Sequence, residues 1–202
     1  VNTKSKNWKA LLKELQRGDI FAIKGEGYLS RLQTNLILPQ TDRFHYGLLG
    51  EYIKEENDFV ILESIQKGTA VGRLSWYIKS DIKFYEVNDP DSKRLGKEAS
   101  IQATKWGRAK YDYRVYIWIF WNAMKLFARQ LWEEHRLRKV HITEFPPLPK
   151  DKRLLCTELG RESYRGIYPI LPLPLAEFPA AYELARLTGS INLVAHWEGE
   201  NG

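Results

Sequence analysis

Residues Arg43 to Ile65 read RFHYGLLGEYIKEENDFVILESI: two apolar, β-branched and aromatic runs, 43–53 and 59–65, separated by the charged stretch KEEND. Such runs around a charged turn predict an antiparallel hairpin. Two side chains do not suit its apolar faces. His45 sits in the first strand near a glycine, Gly47, and Glu63 interrupts the second, where an ionised carboxylate is costly unless it has a partner. If Tyr52 pairs with Asp58 across a five-residue connection, Glu63 falls opposite Gly47 and diagonal to His45. Diagonal neighbours are about 7–8 Å apart at the backbone, within reach of a long carboxylate arm. The carboxylate would then accept a hydrogen bond from the ring, fix one tautomer and leave the other nitrogen for a second partner. The plainer readings are a structural strand histidine and an outward-facing glutamate in a half-exposed strand.

The second partner is suggested by RLLCTELGRESY, Arg153 to Tyr164, which holds the single cysteine of the 202-residue chain. A lone cysteine is most often a small buried hydrophobe. Cys156, however, follows Lys152 and Arg153 and opens a segment in which Leu159, Glu162, Ser163 and Tyr164 recur at helical spacing. A helix N-terminus carries partial positive charge and unpaired N–H groups, which favour the thiolate. A cysteine nucleophile needs a base in hydrogen-bond reach and a third group to orient that base. Of the four histidines, His135 lies in a charged run, His141 follows one and His196 is near the end, which leaves His45 as the candidate base. No two histidines stand at i, i+3 or i, i+4 and there is no second cysteine, so neither a zinc site nor any other metal or cofactor is expected.

Outward from the hairpin, the chain opens with a short amphipathic helix, Trp8 to Leu15, ended by Gly18, followed by a strand, DIFAIKG, closing at Gly25. GEGYLSRLQTNLIL is then a loop entering a helical turn, and it lacks the third glycine of a dinucleotide fingerprint. After the hairpin, SWYIKSDIKFYEV continues the meander with further strands, 91–110 turns helical, and YDYRVYI is a junction. Residues 120–138 read as a long helix with Trp121, Met124, Leu131 and Leu137 on an apolar stripe. FPPLPK breaks it and leads into the cysteine segment, and YPILPLPLAEFPAAYELARL carries four prolines before a last short helix. Extended chain packed along the body is preferred there to a PxxP ligand. No repeat or low-complexity linker divides the sequence, so a single domain over 1–202 is expected, with a helical insertion around 115–145.

Composition narrows the partners. One cysteine cannot form an internal disulfide, which is compatible with a reducing compartment. A net charge of +6 and a pI near 9.3 favour acidic partners, but basic residues cluster only at HRLRK and Lys150–Arg153, and no nucleic-acid-binding motif accompanies them. No specific nucleic acid is expected. The most apolar run, VYIWIFWNAMKLF, is broken by Asn122 and Lys125 and is too short to span a bilayer, and the N-terminus is charged and helix-like rather than a signal peptide. Cytoplasmic and envelope-associated locations both stay open, as does the oligomeric state.

Taken in order, RGDIFAI, FHYGLLG, FVILESI and LLCTELG resemble the circularly permuted branch of the NlpC-type papain-like cysteine hydrolases, the YiiX/YebB-like group. In that branch the histidine and acid strands precede the cysteine helix. The resemblance implies an α+β, permuted papain-like fold, a small antiparallel sheet packed against the helix carrying the cysteine nucleophile. It places the nucleophile at Cys156, the base at His45 and the orienting residue at Glu63. KWGRAKYDY, Lys105 to Tyr113, is similar to the family's helix-then-tyrosine segment, and Gly18-Asp19 to its leading strand. Two departures stand out: Phe44 occupies a position that is often small and polar, and the aromatic stretch Trp118 to Trp132 has no assigned counterpart.

The expected activity is therefore a cysteine hydrolase cleaving an amide or related acyl bond through an acyl-enzyme. Peptide-like substrates, cell-wall peptides among them, come first, and lipid acyl hydrolysis or transfer at an anionic membrane surface second. The Cys156 N–H would contribute to an oxyanion site, with Gly27 and Tyr28, in the loop 25–28, as candidates for the second donor. The non-enzymatic alternative is an aromatic, basic binding module in which Cys156 is structural.

Overall fold

The computed structural model describes residues 4–5, 7–25, 41–107, 109–112, 114, 117, 120–122, 124–125, 128–129, 153–154, 156–168 and 179–199. Its elements are β1 (Lys4–Ser5), α1 (Trp8–Glu14), β2 (Ile20–Lys24), β3 (Arg43–Ile53), β4 (Asp58–Ile65), β5 (Gly68–Arg73), β6 (Ile82–Val87), α2 (Ser92–Thr104), β7 (Lys110–Tyr111), β8 (Arg153–Leu154), α3 (Cys156–Tyr164), α4 (Pro179–Leu187) and β9 (Ile191–Trp197). Seven strands form one sheet in the order β1-β9-β6-β2-β3-β4-β5, antiparallel except where the two-residue β1 runs parallel to β9. The class is α+β.

Side-chain alternation sorts the core into two layers. Ile20, Ala22, Tyr46, Leu48, Leu62, Tyr85 and Val87 face α2, α3 and α4, where they meet Leu95, Ala99, Leu159, Tyr164 and Tyr182. Phe21, Ile23, Leu49, Ile61, Ile82 and Phe84 face the other way, onto Leu11, Leu12 and Leu15 of α1 and Leu74. Because both faces are covered, β2 reads as a continuous apolar run rather than an alternation, and each buried aliphatic or aromatic side chain contributes about 1.5–3 kcal/mol by removal from water.

The hairpin forms, with one change of register. Gly47 pairs with Glu63 and Leu49 with Ile61, but a bulge between Leu49 and Tyr52 moves Tyr52 opposite Phe59 and Ile53 opposite Asp58. The predicted pairing thus holds at the polar end of the hairpin and fails by one residue at its turn. That turn ends on Asn57 at φ 51°, a left-handed conformation that asparagine tolerates better than most residues.

Ser75 to Val87 is not all strand. Residues Leu74–Tyr77 form a 3-10 turn and only Ile82–Val87 extend. The buried Asp58 carboxylate accepts the backbone N–H of Ser75 at 3.2 Å and that of Phe59 at 2.8 Å, which bends the chain while Leu74 fills the core. The helix expected over 91–110 ends at Thr104, where turns through Gly107 bring the chain into β7. No strand was expected at the C-terminal end, yet β9 completes the sheet beside β6.

Before β2, Gly18 adopts φ +93°, and a Cβ there would lie 2.1 Å from the Gly96 Cα of α2, so turn and helix are in backbone contact. Asp19 follows. Its carboxylate is buried and accepts the Gln16 N–H at 2.9 Å. Burial pushes its pKa up to about 8, against the Gln16 hydrogen bond and with help from the negative charge of Glu86. An acid whose folded pKa is raised binds its proton more tightly folded than unfolded, so stability falls as pH climbs from about 4 to about 8. Asp19→Asn keeps the acceptor without the charge. Its Tm relative to wild type should gain several degrees, roughly, between about pH 5 and about pH 8.5. A constant difference across that range, measured by thermal melts, would show that Asp19 is ionised in the fold.

Candidate active site

The cysteine helix is fixed at both ends by buried tyrosines. Tyr182 of α4 donates its hydroxyl to the Thr157 carbonyl in the first turn, at 3.0 Å, and stacks on Tyr46 of β3 with ring centroids 4.4 Å apart. At the other end the Tyr164 hydroxyl donates to the Gly18 carbonyl at 2.8 Å. Gly160 makes the first contact feasible, since a Cβ there would sit 1.9 Å from the Tyr182 oxygen. Upstream, parallel pairing of β7 with β8 sets the approach, and α3 begins at Cys156 itself. The thiol is buried, 4% exposed, and its Sγ lies 3.8 Å from the Phe44 carbonyl oxygen, to which it can donate weakly.

That contact brings Cys156 to the start of β3, next to His45. The Nε2 of its ring lies 2.6 Å from Glu63 Oε2, which leaves Nδ1 for the neighbouring Cys156. Burial opposes protonation of His45, yet the hydrogen bonds and charges of Cys156 and Glu63 outweigh it and push the pKa up to about 9. An imidazolium therefore persists through neutral pH. The stability this pairing contributes is complete below the ordinary pKa near 6.5 and fades as pH rises through about 9.

Glu63 is held from a second side. Tyr77 donates its hydroxyl to the same Oε2 at 2.8 Å, so this buried carboxylate is doubly hydrogen-bonded, as its removal from water requires. Burial beside that negative charge raises the Tyr77 pKa and keeps it a donor. The rings of Phe21, His45 and Tyr77 form a triangle with centroids 6.0–6.2 Å apart. Opposite Glu63, the absence of a side chain at Gly47 makes room for the Phe21 ring, which lies 2.5 Å from where a Cβ would stand. A side chain at position 47 would push Phe21 into the histidine.

The structure thus brings His45, Glu63 and Cys156 together. Gly27, Tyr28, His135 and His141 lie outside the described residues. Tyr77 was missed, because it sits in a segment whose composition reads as strand.

A second histidine–carboxylate pair went unrecognised as well. His196 of β9 lies 2.7 Å from Asp81 Oδ1, which also accepts from Arg43 at 2.7 Å. Burial works against ionisation of Asp81, but these partners hold its pKa below the usual carboxylate value. The cluster clamps the starts of β3 and β6 to the end of β9. It lacks a cysteine, which is what distinguishes the His45 pair chemically.

Neither a protein-family model nor a curated protein sequence matches this chain. Among solved structures, the fold is similar to that of the metalloprotein yiiX from Escherichia coli O157:H7, with a TM-score of 0.52 and 14% identity over 93% of this chain and 90% of that one.

Proposed function

We propose that this chain is a cysteine hydrolase of the permuted papain-like type, cleaving an amide or related acyl bond through an acyl-enzyme. The observation that carries the reading is His45 set between the Glu63 carboxylate and the chain's single thiol at the N-terminus of α3. In this mechanism Cys156 Sγ attacks the carbonyl carbon, and negative charge gathers on the carbonyl oxygen near the Cys156 N–H. The His45 imidazolium gives its proton to the leaving group as the C–N or C–O bond breaks. Water then attacks the thioester, its proton passes to His45, and the acid leaves as Cys156 is restored. Glu63 balances the imidazolium, while Tyr77 positions Glu63. The order of elements, with histidine and acid strands before the cysteine helix, fits the permuted arrangement.

Peptide-like bonds are the first substrate class. Lipid acyl bonds are the second reading, favoured by one observation, the exposed aromatic helix described below. The fold neighbour's name also raises a metal. Among the described residues no group of three His, Cys, Asp or Glu side chains is placed to hold one, and His45 Nε2 is already bonded to Glu63, so the donor set does not fit and no step is routed through an ion.

Acyl transfer can be trapped with a p-nitrophenyl ester. Intact-mass analysis should find one acyl group on Cys156 in the wild type, and none above background in Cys156→Ala or His45→Ala. Nitrophenol release that persists in Cys156→Ala, with no protein adduct, would contradict the proposal.

A further inference from the structure

Beyond β7, the described residues from 114 to 129 are helical. Ile117, Phe120, Trp121 and Met124 are 57, 53, 60 and 49% exposed. Their spacing, i, i+3, i+4 and i+7, places them within an arc of about 100° at roughly 100° per residue. This is the spacing of a buried helix face, turned toward solvent. The adjacent Phe120 and Trp121 rings touch only edge to face. Along one edge of the arc come Arg114, Lys125 and Arg129, with Arg114 also held by Asp112. No Asp or Glu occurs between Asp112 and Glu133.

We propose that this helix is an interfacial docking face for an anionic phospholipid surface, with the apolar arc in the headgroup–acyl boundary and the basic edge against lipid phosphates. Charge selects this occupant. A chain of net charge +6 with a basic margin beside exposed Trp and Phe is complementary to a negative bilayer surface and unfavourable to a second copy of itself. No helix among the described residues is long and apolar enough to cross a membrane, so the contact is one of lying on the surface.

The test uses the full chain with vesicles of phosphatidylcholine, with and without about one third phosphatidylglycerol. Co-sedimentation should be strong only with the anionic vesicles, tryptophan emission should shift to the blue, and about 0.5 M salt should weaken binding at least tenfold. The double substitution Ile117→Asp/Trp121→Asp, checked for unchanged far-ultraviolet dichroism and Tm, should bind at least tenfold more weakly. Met124→Asp alone should show the same trend. Cys156→Ala should bind like wild type, which separates docking from the proposed chemistry. Absence of vesicle binding, or binding that these substitutions leave unchanged, would overturn the proposal. So would a dimer in solution that the double substitution dissociates, with no lipid binding, since the face would then join two copies.

Discussion

Cys156→Ala and His45→Ala should each lower turnover by at least about a thousandfold, and the double variant should be scarcely worse than either single one. The reason is that both residues act in one step: without the thiol there is no nucleophile, and without the ring no proton reaches the leaving group. Neither replacement leaves a large cavity, so folding should survive. His45 is partly exposed, and Cys156 is small. The measurement is kcat/KM for the four proteins of the cycle on one acyl substrate. Losses that add would mean that the two side chains do not share a mechanism, despite their proximity.

The second large effect belongs to Glu63→Gln. The amide oxygen can still accept from His45 and from Tyr77, so the shape should hold. What disappears is the negative charge that helps raise the His45 pKa to about 9. Turnover should drop by roughly 10- to 100-fold, corresponding to about one to two pKa units of lost imidazolium stabilisation. The alkaline limb of the pH–rate profile should move down from about 9 toward the ordinary histidine range. A variant with full activity and an unmoved limb would make Glu63 a structural residue.

The local pattern made part of this legible. Apolar runs around KEEND mark the hairpin, and the two-residue alternation of strands sets Glu63 opposite Gly47, where the structure has it. The bulge at Leu49–Tyr52 was invisible because either register buries an acceptable set of side chains. Cys156 at a helix start was legible from its flanking residues, but what holds that helix was not. Tyr182 and Tyr164 act through hydrogen bonds to carbonyls 25 and 146 residues away in sequence. Tyr77 escaped for a related reason: an aromatic, β-branched stretch suggests strand, and only the distant Asp58 carboxylate turns it into a 3-10 bend. The Phe120–Trp121 stripe has the spacing of a core face, and helical periodicity cannot tell which neighbour, if any, covers such a face.

The proposed chemistry needs Cys156 to react as a thiolate beside His45, and the rate of alkylation against pH tests this most directly. A free cysteine of pKa about 8.5 is only about 3% ionised at pH 7, so its rate falls about tenfold per unit below that. A thiol activated in this way should lose alkylation rate toward iodoacetamide far less steeply below about pH 8 than a free cysteine does. The proposed pairing further predicts that iodoacetate, drawn by the positive ring, loses its advantage over iodoacetamide as pH rises through about 9, where His45 deprotonates. A profile that follows free cysteine, or a thiol that reacts only after unfolding, would contradict the account and leave Cys156 a buried structural residue.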